Sequence, residues 1–448
     1  MNQDLTRGNI TKTILLFALP MMAGNLLQQF YNITDTFIVG KFLGKDALAA
    51  VGSAYTLMTF LTSILLGLSM GNGVFVSICF GKKEEGRLKT GTFLSFVLIA
   101  AITVIMNIFV FAGMEFLLVF LNIPQEIRDM MRDYLWIIFW GLAAIFLYNY
   151  FTALLRSIGN SVAPLLFLIV STLVNIGLDL LFVITFEMGA GGAALATVIA
   201  QYISGIGVAL YTLLKCPVFR ISREHMRWDS GILKEISQLS VLTCLQQSVM
   251  NFGILMVQGL VNSFGTAVMA AFAAAVKIDS FAYMPVQDFG NAFSTFTAQN
   301  YGAGEYGRIR EGIKKAVITV TIFSLAISLL VWIFAKELML IFVQPHETEV
   351  LAVGIQYLRV EGSFYIGIGF LFLLYGFYRA IKRPGMSLVL TVISLGTRVV
   401  LAYATAGTIG VIGIWMAIPI GWILADVVGY VYYQKSCRRM FDCGNICF

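Results

Sequence analysis

The chain has 448 residues, of which 59% are hydrophobic and only 12% charged, with a formal net charge of +6. Soluble domains carry about 25% charged residues, so a water-soluble fold is excluded. Twelve spans with short loops would use about 37 residues each, which consumes the whole chain and leaves no room for a sizeable soluble domain. Two histidines in separate polar segments and six cysteines (Cys79, Cys216, Cys244, Cys437, Cys443, Cys447) with no C-x-x-C pair leave no metal cluster or redox motif.

In chain order, apolar runs bounded by polar, Gly or Pro punctuation fall at about 13–39, 53–79, 92–113, 133–155, 163–186, 190–214, 235–261, 268–298, 316–341, 353–378, 386–407 and 410–433. They predict twelve transmembrane helices, α1 to α12 in that order. The first run lacks a small-residue cleavage site and is interrupted by Asn25, Gln28, Gln29, Asn32 and Asp35, so it is read as a retained helix and not a signal peptide. Of the 30 Lys and Arg residues, 22 fall in the N-terminus, the even-to-odd connections and the C-terminal tail. Six fall in or near the opposite connections, and Lys277 and Arg398 lie deeper inside spans. Basic residues mark the cytoplasmic side and not a nucleic-acid surface. The expected localisation is the plasma (inner) membrane, multi-pass, with both termini cytoplasmic.

The halves repeat at an offset of about 221 residues. G-K-K-E-E-G-R-L-K (Gly81–Lys89) answers G-A-G-E-Y-G-R-I-R (Gly302–Arg310), and Gly44, Ala49 and Ala50 answer Gly265, Ala270 and Ala271. The expected fold is therefore an all-α integral membrane protein of twelve transmembrane helices in two pseudo-symmetric six-helix bundles. Six is even, so both copies cross in the same sense, a parallel repeat with its axis along the membrane normal. The expected divisions are an N-terminal lobe (1–214), a cytoplasmic linker (215–234), a C-terminal lobe (235–433) and a cytoplasmic tail (434–448). Such symmetry points to a cavity between the lobes and to alternating access.

A carboxylate at membrane depth costs about 3 kcal/mol or more on insertion scales, so buried acids are candidates for chemistry. Asp35 on α1 and Asp179 on α5 fall within about 10 Å of the outer ends of their helices, and Thr197 on α6 falls at a similar depth. Asn175 precedes Asp179 by four residues and shares its face. Asp35, Asn175, Asp179 and Thr197 thus form the expected cation-coupling set. The same four would be the metal ligands if the coupling ion is Na⁺.

Asn25, Gln28, Gln29 and Asn32 form a polar stripe on α1, and Gln247 and Asn251 begin a comparable one on α7. With Lys277 and Arg398 they are the expected substrate-cavity residues, although Asn and Gln in membranes also serve as interhelical hydrogen-bonding groups. The second half does not repeat the acids at matching positions: Asn175 aligns with Arg398 and Asp179 with Ala402. Coupling is accordingly expected in the first half alone. Asp279, Asp288 and Asp426 are weaker candidates, and Glu361, near the outer end of α10, is expected to snorkel or pair. Asn32-Ile33-Thr34 fits a glycosylation sequon but lies inside α1, and the tail cysteines are expected to be idle thiols.

The segment L-P-M-M-A-G-N-L-L-Q-Q-F-Y-N-I-T-D-T-F-I-V-G-K-F-L-G (Leu19–Gly44) resembles the multidrug and toxic compound extrusion (MATE) family of transporters. So do A-L-A-A-V-G (Ala47–Gly52), N-I-G-L-D (Asn175–Asp179), G-G-A-A-L-A-T (Gly191–Thr197), A-Q-N-Y-G-A-G (Ala298–Gly304) and F-Y-R-A-I-K-R-P (Phe377–Pro384). The resemblance spans the chain. It implies an N-lobe cation site at Asp35, Asn175, Asp179 and Thr197 and a helix bend at Pro20. Some members carry a second carboxylate pair on helices 7 and 10; the corresponding stretches here, Leu245–Ser248 and Tyr365–Phe370, hold no acid, so a second acid site is expected to be absent. The implied function is a cation-coupled antiporter, not an enzyme, exporting amphipathic, often cationic small molecules. It would have no covalent cofactor and H⁺ or Na⁺ as coupling ion. Its expected partners are drug-like small molecules and the lipid bilayer, with no nucleic acid, and the expected state is monomeric. The alternative is a flippase for lipid-linked precursors or polysaccharide intermediates, which would need a basic cavity that two basic residues within the spans do not supply.

Overall fold

The computed structural model of the protein describes residues 4–120 and 125–437. The tail positions Arg438, Arg439, Cys443 and Cys447 lie outside the described residues. The described elements are helical, as a hydrocarbon environment demands: without water, each backbone N–H and C=O must be satisfied within the segment.

Among the described residues, ten helices are long and apolar enough to cross a membrane, and the number becomes twelve when two bent pairs each count as one span. They are α1 (Ile10–Gly44), α2 (Ala50–Lys82), α3 (Glu85–Ala112), the bent α4 (Ile127–Phe139 and Leu142–Ser157), α5 (Val162–Thr185) and α6 (Gly189–Lys215). The second set is α7 (Ser230–Asn262), α8 (Thr266–Ala303), α9 (Tyr306–Ile333), the bent α10 (Thr348–Gly362 and Tyr365–Ala380), α11 (Pro384–Ile409) and α12 (Val411–Cys437). This is the twelve-helix arrangement expected from the apolar runs. The bends, 40° in α4 and 51° in α10, were not expected. Each follows a glycine, Gly141 or Gly362, and these two glycines are 221 residues apart.

The repeat is written into the backbone. Gly44 (φ 85°, ψ −173°) and Gly265 (φ 97°, ψ 172°) occupy the same left-sided conformation where α1 passes to α2 and α7 passes to α8. A residue with a Cβ enters that region only at a cost, which accounts for glycine at both places.

The helices gather into two compact units. One consists chiefly of Leu19–Cys244, and the other joins Leu5–Ala18 to the chain from Leu245 onward. Both divisions fall within helices, so α1 begins in the second unit and α7 begins in the first. In the first unit, Tyr150 of α4 donates its hydroxyl to the Thr92 carbonyl of α3 at 2.6 Å, and Ser171 of α5 donates to the Ala200 carbonyl of α6 at 2.7 Å. The start of α7 is held by an ion pair between Arg87 and Glu235. The connection before it is not a loose linker, since Phe219 is fully buried. In the second unit, Arg308 donates to the carbonyls of Leu5 (3.2 Å), Arg7 (3.2 Å) and Gly8 (2.9 Å). Asn300 donates to Leu5 as well. Arg87 and Arg308 are 221 residues apart, so in each unit the same arginine of the repeat fastens the stretch that leads into a first helix.

Small residues let the helices approach backbone to backbone. A Cβ added at Gly71 of α2 would stand 2.5 Å from the Leu239 carbonyl oxygen of α7, a backbone atom with no room to yield. Gly71→Ala should therefore lower the stability of the purified protein by about 1–3 kcal/mol, read as a fall in its thermal unfolding midpoint. Gly259→Ala, where nothing lies within 4 Å of the added Cβ, should leave the midpoint unchanged or raise it.

Candidate functional site

In the first unit, three helices converge on one polar spot in an otherwise apolar core. Asn175 and Asp179 of α5 are 1% and 0% exposed, and Thr197 of α6 is buried beside them. The Asn175 amide donates to Thr197 Oγ1 at 3.5 Å, and the Tyr31 hydroxyl of α1 donates to the same oxygen at 3.1 Å. Asp35 lies four residues beyond Tyr31 and so on the same face of α1. It is close enough to Asp179 for its charge to act there, and Tyr31 and Tyr134 feel both acids. The structure thus brings together all four residues of the expected coupling set.

Four oxygens at this spot make no hydrogen bond among the described residues: Asp35 Oδ1, Asn175 Oδ1 and both carboxylate oxygens of Asp179. Buried polar atoms are ordinarily satisfied, so this concentration marks a place prepared for a cation, a proton or water. The oxygen-only donor set suits a hard ion. Immediately after Asp179, α5 changes to π winding over Leu180–Thr185, a local irregularity common at functional sites. Tyr31 and Tyr134 were not singled out from the sequence. Tyr31 carried a signal, its i to i+4 relation to Asp35, whereas Tyr134 reaches the site only through packing.

The polar stripe of α1 is less concentrated. Asn25, Gln29 and Asn32 are half-buried, whereas Gln28 is exposed; Asn32 approaches the Tyr55 hydroxyl at 3.5 Å. Pro20 lies within the continuous α1 helix, one residue past the point where that helix enters the first unit.

The second unit departs from expectation. Asp279 of α8 and Glu361 of α10 are 4% and 2% exposed and line one cavity of about 100 Å³ together with Arg398 of α11. The expectation that the second half lacks an acid site is corrected: two acids meet there, but from positions that do not align with Asp35 and Asp179. Glu361 does not snorkel, because it sits on the inner side of α10 just before the bend. Lys277, two residues before Asp279, faces the other way. It is exposed, with Nζ 6.0 Å from the Phe342 ring, and the structure does not bring it to the cavity that Arg398 lines. Gln247 and Asn251 are half-buried on α7 and do not line it either.

The MatE family profile matches residues 20–181 and 240–404. Across 433 residues the chain is 30% identical to the probable multidrug resistance protein YpnP of Bacillus subtilis, covering 96% of each. It is 23% identical over 441 residues to the probable multidrug resistance protein NorM of Thermotoga maritima, covering 96% of this chain and 92% of that protein. Among solved structures it is similar to the outward-facing conformation of a multidrug resistance MATE family transporter of the MOP superfamily, with a TM-score of 0.89, 23% identity and 96% of each chain covered.

The shared acceptor at Thr197 can be tested directly. Thr197→Val leaves the Tyr31 hydroxyl and the Asn175 amide without their partner and should cost about 1–3 kcal/mol of stability in thermal unfolding. Thr197→Ser, which keeps the hydroxyl, should stay close to the unsubstituted protein.

Proposed function

The chain belongs to the MatE family, and from that membership we propose that it is a cation-coupled antiporter that exports amphipathic, often cationic small molecules by alternating access. The observation that carries this reading is the acid pair of the first unit, a half-buried Asp35 and a fully buried Asp179, with Asp35 Oδ1 and both carboxylate oxygens of Asp179 making no hydrogen bond among the described residues. Its similarity to two proteins named as probable multidrug resistance proteins supports the substrate class.

Two carboxylates that feel one another take up a positive charge as a unit. A proton or Na⁺ arriving from outside neutralises the pair, relieving the repulsion between α1 and α5 and changing the hydrogen bonding that Tyr31, Asn175 and Thr197 share. Pro20 lacks a backbone N–H and so leaves α1 one hydrogen bond short at that turn, which makes it the place for α1 to bend in response. Bending reshapes the first unit's share of the cargo path, the cargo leaves outward, and release of the ion inside resets the carrier. The work is transport without covalent chemistry, and no bound cofactor is needed. The 22-to-6 distribution of basic residues supports cytoplasmic termini in the plasma membrane. A flippase for pyrophosphate-linked lipids would want an excess of positive charge at its cavity. Of the two basic residues expected at a cavity, Lys277 is exposed and Arg398 stands with two acids.

Dye efflux from vesicles under an imposed gradient tests the proposal. Asp35→Asn and Asp179→Asn should each slow gradient-driven ethidium export by about tenfold or more, since either change breaks a pair that binds the ion as a unit. Export by both variants at the unsubstituted rate would sink it. Running the assay with a pH gradient alone and a Na⁺ gradient alone identifies the coupling ion.

A further inference from the structure

The cavity inside the second unit has no part in the coupling just described. Its charged lining consists of Asp279, Glu361 and Arg398, with the Tyr357 hydroxyl facing both acids and Gln287 and Ser394 as neutral polar neighbours. Asp279 Oδ1, Glu361 Oε2 and Arg398 Nε are buried and make no hydrogen bond among the described residues. Both acids are more than nine-tenths buried, so water outside the protein does not answer their charge. The remaining wall combines aliphatic side chains such as Ile368 and Leu371 with aromatic ones, including Phe272, Phe372 and Trp422. It is also rigidly set: Tyr357 stands edge-on to Trp415 at 4.9 Å, and Phe272 stacks on Trp415 at 5.4 Å.

We propose that this cavity binds the head group of an aromatic organic cation and that Arg398 fixes the number of positive charges it accepts at one. Two carboxylates and one guanidinium leave a single negative charge in excess. A monocation balances it. A dication leaves one positive charge uncompensated in a poorly hydrated space, an expensive outcome. Aromatic faces add the attraction of ring quadrupoles for a delocalised cation. The volume of about 100 Å³ is below the usual range of about 300–1,000 Å³ for whole drug-sized ligands, so the cavity grips one end of its cargo. Arg398 here is a specificity-determining residue that acts by subtraction, cancelling one acid in advance. The position aligned with it in the first half is the neutral Asn175, which cancels nothing, so the two units count charge differently.

This inference takes its substrate class from the export reading above, but its test needs no gradient and no turnover. N-methyl-4-phenylpyridinium and N,N′-dimethyl-4,4′-bipyridinium are close in shape and differ by one positive charge. Their binding to the purified full-length protein in detergent is measured by calorimetric titration. The monocation should bind about tenfold tighter or better. Arg398→Gln should move the monocation-to-dication affinity ratio toward the dication by about tenfold or more, and Arg398→Lys, which keeps the charge, should restore it. The ratio is measured within one preparation and is insensitive to the folded fraction. Asp279→Asn and Glu361→Gln should each weaken monocation binding by about tenfold. A ratio unchanged in Arg398→Gln would overturn the charge rule, and unweakened monocation binding in both acid variants would overturn the site. The double variant Asp35→Asn/Asp179→Asn should keep the ratio. If it does while gradient-driven export is lost, the coupling site and the cargo site are separate; loss of the preference in that variant would place the selection in the first unit and overturn the proposal.

Discussion

A charge or a free polar atom held at membrane depth cannot be answered by solvent, so it must be answered by the protein or by something the protein binds. Nearly every feature of this chain follows from that constraint. It makes the backbone helical throughout its spans and draws helices close at small residues, where Gly71 meets the Leu239 carbonyl. It also keeps basic residues at the ends of spans, where Arg87 and Arg308 fasten the segments that lead into α7 and α1. What remains inside is a short set of acids, and their environments separate them by role. Asp35 and Asp179 stand near the hydroxyls of Tyr31 and Thr197 and the Asn175 amide, whereas Asp279 and Glu361 share a cavity with a guanidinium.

Duplication preserved the backbone more strictly than the chemistry. The conformations of Gly44 and Gly265 agree within a few tens of degrees, and the bends of α4 and α10 follow aligned glycines. These features are set by where the chain must turn, and a Cβ would obstruct them in either copy. Side chains that face a cavity carry no such obligation. Asn175 and Arg398 occupy matching positions of the repeat and differ by a full charge. The repeat therefore supplies one scaffold with two differently charged interiors.

The span count, the internal repeat and the convergence of Asp35, Asn175, Asp179 and Thr197 were legible in the sequence, because each depends on a period or a depth counted along single helices. Lys277 and Asp279 also behaved as helical spacing requires, one outward and one inward. The acid pair of the second unit was not legible by those means. Aligning the halves looked for acids at the positions of Asp35 and Asp179, whereas Asp279 and Glu361 come from α8 and α10 and meet only through packing between helices. Counting depth along a straight α10 put Glu361 near the outer surface, but that helix turns by 51° directly beyond it. Tyr134 was invisible for the same reason: it comes within reach of Asp35 and Asp179 through packing between helices that no spacing within one helix encodes.

The passage of α1 from one unit to the other connects these observations. Residues Leu5–Ala18 belong to the second unit, fastened by Arg308, and the helix then continues into the first unit to carry Tyr31 and Asp35. Pro20 lies one residue past that division, and its missing N–H removes the hydrogen bond to the Leu16 carbonyl, so the weakest turn of the helix coincides with the boundary. From Pro20 to Asp35 is about 22 Å along the axis, a rigid arm with a charge-sensitive end and a soft root. The same arginine of the repeat fastens the start of α7 in the first unit, but α7 carries no acid at the positions matching Asp35. The asymmetry of the interior is thus also an asymmetry of the two connecting helices: α1 carries an acid at Asp35, and the matching positions of α7 hold none.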